Sequence, residues 1–239
     1  MTRICFLTAF SRFTRVASIL LAFSSPLQAA PTPAEKLQSA GTDAEPQVVS
    51  SKSLLYVQVY RDTGALLSGA AHDHVIRAWN FKGSLAFDEQ NPKACRLSLS
   101  AEARNLRVDE PWMRKKVGYA DTLSKKDRQS VRENMLAEDQ LHATRFRFLR
   151  ITAAQCQPLV KEGTFRAVAT IQVRGKTKTT PVIVRIWEEQ GRLRAEGNLR
   201  LTHADFGFRP YSAFLGTIKN AKHIDFTWSL TTVPQANAR

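Results

Sequence analysis

Three groups of residues in this 239-residue chain have types and spacings that carry chemistry. His72-Asp73-His74 sets two imidazoles two positions apart. On a β-strand such residues share a face, so both reach one cation, with His203 as a third ligand. That reading is a metal-dependent enzyme or redox protein using His72, His74 and His203. The alternative is a pair of histidines that hydrogen-bond near a barrel mouth or touch a ligand headgroup. A two-residue spacing without an assured third ligand specifies a metal weakly. The second group is Asp205-Phe-Gly-Phe-Arg-Pro210. Gly207 between two aromatics marks a bend or bulge where another backbone comes close. Arg209 precedes a proline and is biased to extended geometry. Either Phe206 or Phe208 lines a cavity and Arg209 meets an anionic headgroup, or the segment is a corner held by an Asp205–Arg209 pair. The third group is the basic run Arg104, Arg107, Arg114, Lys115, Lys116, Lys125, Lys126 and Arg128. It is a solvated face, or a surface for anionic lipid headgroups at about 1 kcal/mol per residue. The Gly-x-Ser-x-Gly elbow, the Walker loop, His-Glu-x-x-His and the dinucleotide glycine pattern are all missing, so no catalytic residue is assigned.

The elements that must position these groups read as strands. Leu193, Ala195, Gly197, Leu199 and Leu201 alternate with Arg194, Glu196, Asn198 and Arg200. Successive side chains on a strand point to opposite faces, so this pattern has one dry and one wet side. The same alternation runs through Leu55–Val59, Leu97–Ala103, Phe165–Val173, Val182–Ile186 and Ile224–Leu230. Trp79, Phe81, Leu85 and Phe87 share one parity, and Phe146 and Phe148 another, opposite Leu149 and Ile151. About eight strands with one wet face imply an all-β fold, an antiparallel meander or closed barrel. Asn91-Pro92, Glu162-Gly163, Arg174-Gly175 and Gln190-Gly191 are turns between them. Ser124-Lys-Lys-Asp127 resembles a capping box, and Val131 and Met135 follow at helical spacing. A short helix is expected over 125–136, lying across a barrel mouth. Small residues on the dry rows, such as Ala169 and Gly197, leave room inside an eight-stranded barrel.

The ends set the compartment. Arg3, Arg12 and Arg15 precede a short apolar run, Val16 to Phe23, and a small-residue exit at Ala29-Ala30. This reads as a secretory signal peptide over 1–29, its apolar run too short to span a bilayer, the alternative being a membrane anchor that is never cleaved. Residues 30–50 are rich in Pro, Ala, Glu and Ser and read as a flexible linker. Residues 51–233 form the domain and 234–239 a tail. The chain carries a net +14. An exported basic protein meets anionic surfaces or acidic ligands rather than nucleic acid. The expected location is the periplasm or the outside of the cell, soluble after cleavage. Cys95 and Cys156 form an even pair suited to a disulfide in an oxidising compartment, the alternative being two buried thiols.

From Leu54 to Leu230 the chain resembles the YceI-like family of exported proteins. The resemblance is carried by Trp79-Asn-Phe-Lys-Gly83-Ser-Leu-Ala-Phe-Asp88, by Arg174-Gly175-Lys176-Thr177 with Pro181, and by Thr202-His-Ala-Asp-Phe-Gly-Phe-Arg-Pro210 followed by Ile224-Asp-Phe226. It departs in the loop from Pro111 to Asp121, which is longer and more basic, and at Leu141-His142-Ala143, where the family commonly has Tyr-Pro. The resemblance implies an extended, eight-stranded antiparallel lipocalin-like barrel with a short helix near one mouth. It also implies an apolar tunnel holding an isoprenoid, isoprenoid quinone or similar lipid, and often a homodimer; no catalysis and no other cofactor are expected, and the alternative to the tunnel is a filled, ligand-free barrel serving as an interaction or stress-response module. With strand parity it assigns the tunnel to Trp79, Phe81, Leu85, Phe87, Leu99, Phe146, Phe148, Ala169, Ile171, Gly197, Leu199, Phe206, Phe208, Phe226 and Trp228. His72, His74 and Arg209 are expected at the headgroup. Gly197→Trp is expected to block the tunnel while leaving the domain folded.

Overall fold

A computed structural model describes residues Glu45 to Pro234. The expected signal peptide, most of the linker and all but the first residue of the tail lie outside the described residues. Eleven strands form the sheet: β1 Leu54–Arg61, β2 His74–Ala78, β3 Lys82–Ala86, β4 Arg96–Glu102, β5 Leu106–Val108, β6 Phe148–Pro158, β7 Thr164–Val173, β8 Lys176–Glu189, β9 Arg192–Thr202, β10 Ser212–Ala213 and β11 Ile218–Thr231. Every pairing is antiparallel, in the order β3-β4-β6-β7-β8-β9-β11-β1-β2-β5, with β10 beside β11. β2 runs into β3 through a bend, and β4 into β5 through another. The ladder Ile76↔Val108 to Ala78↔Leu106 then resumes as Lys82↔Ser100, so these four segments are two long bent strands paired with each other. Counted that way the sheet closes as eight strands, the lipocalin-like barrel.

Closure has a seam, and the end of the expected linker fills part of it. Pro46–Val49 is strapped between β3 and the end of β11: Val48 N donates to Gly83 O at 2.8 Å and Val49 N to Thr231 O at 2.8 Å. Val48 is buried there. The domain therefore begins before the expected Ser51, because these residues supply hydrogen bonds that two strand ends would otherwise lack.

Local sequence explains the turns. Arg174-Gly175 (φ +50°, +70°) and Gln190-Gly191 (φ +52°, +68°) each join two strands with both central residues left-handed. A two-residue type I′ hairpin demands that conformation. The helix falls at Lys125–Leu136 (α2), with both capping-box bonds made between Ser124 and Asp127. Before it, Pro111–Lys116 forms a six-residue helix (α1) in what the sequence suggested was a loop.

Two features broke strand parity. Asn80 sits at φ +54° between β2 and β3, and this bend turns Trp79 outward. Gln155 sits at φ +60° within a bulge in β6. The extra residue restores Cys156 to the dry face, where it bonds Cys95 with Cα atoms 5.9 Å apart. Closing a loop between residues 61 apart stabilises by about 4 kcal/mol in the chain-entropy account. Replacing both cysteines by alanine should lower the unfolding free energy in urea by about 2–4 kcal/mol with the β circular dichroism retained. An unchanged midpoint would mean the barrel closes without the crosslink.

Candidate ligand cavity

The barrel interior is hollow. A chamber of about 190 Å³ lies toward the helix-covered mouth and one of about 50 Å³ toward the disulfide. Leu55, Ile151, Ile171 and Phe226 line both, so the two chambers adjoin across a shared wall. A single water needs only about 10–15 Å³ of such space. Inward residues of the strands make the walls. The β4–β6 register Leu99↔Ile151 and Ala101↔Leu149 puts one apolar row on the interior, and Val131 and Met135 of α2 close the mouth from above.

The lower chamber is apolar apart from Arg96. The upper chamber gathers the hydrogen-bonding groups of Asn134, Gln140, His203, Tyr211 and Asn220, with His74 and Arg150 also along its wall. Asn134 Nδ2 donates to the Tyr211 hydroxyl at 3.1 Å. His203 Nδ1 lies 3.0 Å from the Lys222 carbonyl oxygen. A carbonyl only accepts, so Nδ1 carries the proton and Nε2 is left as an acceptor. Burial pushes the His203 imidazole below its ordinary value, outweighing that hydrogen bond.

His74 borders the upper chamber, and its Nδ1 lies 2.7 Å from Asp109. Asp109 is fully buried and also accepts from Val75 N at 3.0 Å and from Arg114 at 2.8 Å. Arg114 is itself 2 % exposed, stacks on Tyr119 and bridges to Asp121. His72 lies 2.6 Å from Asp121, half exposed. Partial burial raises Asp121, yet the hydrogen bonds from His72 and Arg114 hold its carboxyl below the usual range. His72 and His74 are therefore committed to different carboxylates, and His203 to a backbone carbonyl. Among the described residues no group of three His, Cys, Asp or Glu side chains could hold a metal ion. Arg114, read in the sequence as part of a solvated basic run, instead neutralises a buried carboxylate. Losing it would leave that charge uncompensated, at about 3–5 kcal/mol.

Nine of the fifteen residues assigned to the tunnel by parity border the chambers. Leu85, Leu99, Ala169, Leu199 and Trp228 line the lower one, Phe206 and Phe208 the upper, and Ile171 and Phe226 both. The other six do not. Trp79 is 46 % exposed and stacks with Arg77 and Arg107 outside the barrel. Phe148 points outward beneath Arg147 and Arg150, and its β6 neighbours Leu149 and Ile151 face in. Phe146 packs on Gly175 and His142. Phe81 is buried core, and Phe87 packs edge-on against Phe165 at 4.9 Å, neither along the chambers. Gly197 leaves space that the Trp228 ring fills: a Cβ there would sit 2.2 Å from Trp228 Cζ2. Arg209 is exposed and off the chambers, with its carbonyl accepting from Gln140. Asp205 pairs with Lys178 at 2.7 Å, not with Arg209, because it also caps the Thr202 turn. Val131, Asn134, Met135, Gln140 and Tyr211 were not assigned in advance. They lie on the helix and loops over the mouth, where no two-residue period marks the inward side.

No family model and no curated protein matches the chain. Solved structures match its fold. Burkholderia cenocepacia BcnA aligns with a TM-score of 0.59 at 11 % identity, over 78 % of this chain and 99 % of that one. A polyisoprenoid-binding domain from Saccharophagus degradans implicated in plant cell wall breakdown aligns with a TM-score of 0.52 at 9 % identity, over 79 % of this chain and 98 % of that one. The lipocalin-like barrel implied by the YceI-like resemblance is the fold this chain shares with them.

Two outcomes follow. Gly197→Trp should unfold or severely destabilise the barrel rather than merely block it, read as loss of the thermal transition, because Trp228 and the Ile183 carbonyl already occupy the space. A cooperatively folded variant would contradict that packing. His203 titrates near 6.5 when unfolded and lower when folded, so the unfolded state binds more protons as pH falls below about 6.5. Its contribution is intact above that pH and lost as pH falls toward the folded value. His203→Gln should flatten the decline of Tm between about pH 7 and 5; parallel curves would mean another group titrates there.

Proposed function

We propose that this protein binds one slender apolar chain, an isoprenoid, isoprenoid quinone or similar lipid, inside the barrel and performs no chemistry on it. The observation that carries the reading is the pair of adjoining chambers, apolar at depth and lined at the mouth by hydrogen-bonding groups, most of them uncharged. Such an interior suits an apolar tail and a neutral polar head. His203 Nε2 offers an acceptor, while Tyr211, Asn134 and Gln140 both donate and accept. At about 0.8 kcal/mol per buried CH₂, a few isoprene units supply useful affinity even after the costs of association. The polyisoprenoid-binding neighbour supports this ligand class through a shared fold.

The physiological setting belongs to the same proposal. A disulfide is at home in an oxidising compartment, which agrees with the export signal read in the sequence. The role is storage or transport of the lipid in the cell envelope, in the periplasm or outside, as a monomer or homodimer. Among the described residues no helix is long and apolar enough to cross a membrane.

Native mass spectrometry of gently purified protein, followed by organic extraction, tests the reading. One isoprenoid-class lipid per barrel is expected. Ala153 faces the lower chamber and is not fully buried. Ala153→Phe should fill that chamber, costing about 1–3 kcal/mol of stability and cutting retention of long chains about tenfold while shorter analogues still load. Protein without lipid that also fails to take up a fluorescent polyene would sink the proposal.

A further inference from the structure

The barrel carries an apolar surface that the cavity does not use. β10 and the start of β11 form a hairpin with Phe214-Leu215-Gly216 at its tip. Phe214 is 75 % exposed and Leu215 fully exposed. Both hold positive φ, +48° and +55°, a region that bulky side chains avoid. The tip thus presents two large apolar side chains to water on a strained backbone. A second loop lies against it, tied by Leu67 N donating to Thr217 O at 2.9 Å. That loop exposes Leu66 and Leu67. Four of the ten exposed large apolar side chains among the described residues therefore meet on two hydrogen-bonded loops. Clustering of this kind marks a contact surface, whereas singly scattered apolar residues do not.

The base of the same hairpin is the rim of the cavity. Asn220 N donates to Tyr211 O at 2.9 Å, and both residues border the upper chamber. Cations lie at this base. Lys219 pairs with Asp62 at 3.1 Å. Arg209 and Lys222 are exposed and have no ion pair among the described residues. Apolar side chains at a tip with cations one layer behind match the order of an anionic bilayer, acyl chains beneath headgroups. A second copy fits less well, because two such tips meeting would bring their basic collars together.

We propose that these two loops insert into the surface of an anionic bilayer and seat the cavity mouth on it, so that an apolar chain passes between membrane and barrel without crossing water. What passes rests on the lipid-binding reading; the docking rests on the apolar loops and the cations behind them. Full-length mature protein is incubated with phosphatidylcholine vesicles, with or without about 30 % phosphatidylglycerol, and sedimented. Binding is expected to be tighter on the anionic vesicles and to weaken with salt. Phe214→Ser with Leu215→Ser should reduce it at least about tenfold, and Lys222→Gln should weaken it on anionic vesicles only. A Leu215→Trp variant should shift its emission to the blue and be quenched by brominated acyl chains. Extractable lipid in the Phe214→Ser/Leu215→Ser protein is measured in parallel, so a failed docking surface and an empty cavity give different results. Wild-type protein that ignores vesicles, or a double-serine variant that binds as well as wild type, overturns the proposal. Concentration-dependent dimers that the double-serine variant abolishes, without vesicle binding, would assign the tip to a second copy instead.

Discussion

Backbone hydrogen-bond closure is the constraint on which the rest of this molecule depends. A sheet with one dry face leaves two raw edges, and unpaired buried amides are costly. Here the edges vanish by three devices: two strands long enough to bend and pair along both halves, the β11–β1 pairing that joins the last strand to the first, and the strap Pro46–Val49 over the seam. Eight strands fix a bore that is either filled by side chains or left wide enough for one slender ligand. Small inward residues decide between these. Ala153, Ala167, Ala169 and Ala195 hold the lower chamber open, whereas Gly197 serves to accommodate the Trp228 ring.

The polar residues obey the same constraint differently. A barrel mouth needs something rigid around it, and here the bent β2–β5 corner is braced by Asp109 and Arg114, both withdrawn from water. Each compensates the other, and the carboxylate is further satisfied by Val75 N and His74. Two of the histidines that read as metal ligands, His72 and His74, are thus parts of a brace. His203 is held by a carbonyl and kept neutral by burial, so it offers the cavity a hydrogen bond without adding a charge.

Much of the fold was legible because a period of two survives wherever one face of a strand is wet. β7, β8 and β9 alternate cleanly, and their Gly-containing turns announced themselves. The capping box located α2 to the residue. Legibility failed where parity was broken or both faces were apolar. Asn80 and Gln155 each reset the alternation by one residue at positive φ, and neither is a glycine. At the start of β6, Phe148 and Leu149 are both apolar; the outward choice for Phe148 comes from two flanking arginines that cover its ring. The mouth residues from α2 and the following loop carry no periodic mark at all. Asp109 and Arg114 are close in sequence, but the bonds that fix Asp109 to His74 and Val75 reach back to β2 and leave no trace in spacing.

The strap has a kinetic meaning. β1 hydrogen-bonds to β11, and the residues before β1 hydrogen-bond to Thr231 and Val233, so the earliest described part of the barrel finds its partner in the last. A chain emerging from the ribosome can form its middle hairpins, yet its first strand keeps an open edge until β11 has emerged. Such non-local topologies fold slowly and expose edges while they wait. The barrel therefore closes only once β11 has been made, and until then a nascent chain remains open to chaperones or to threading through a narrow pore.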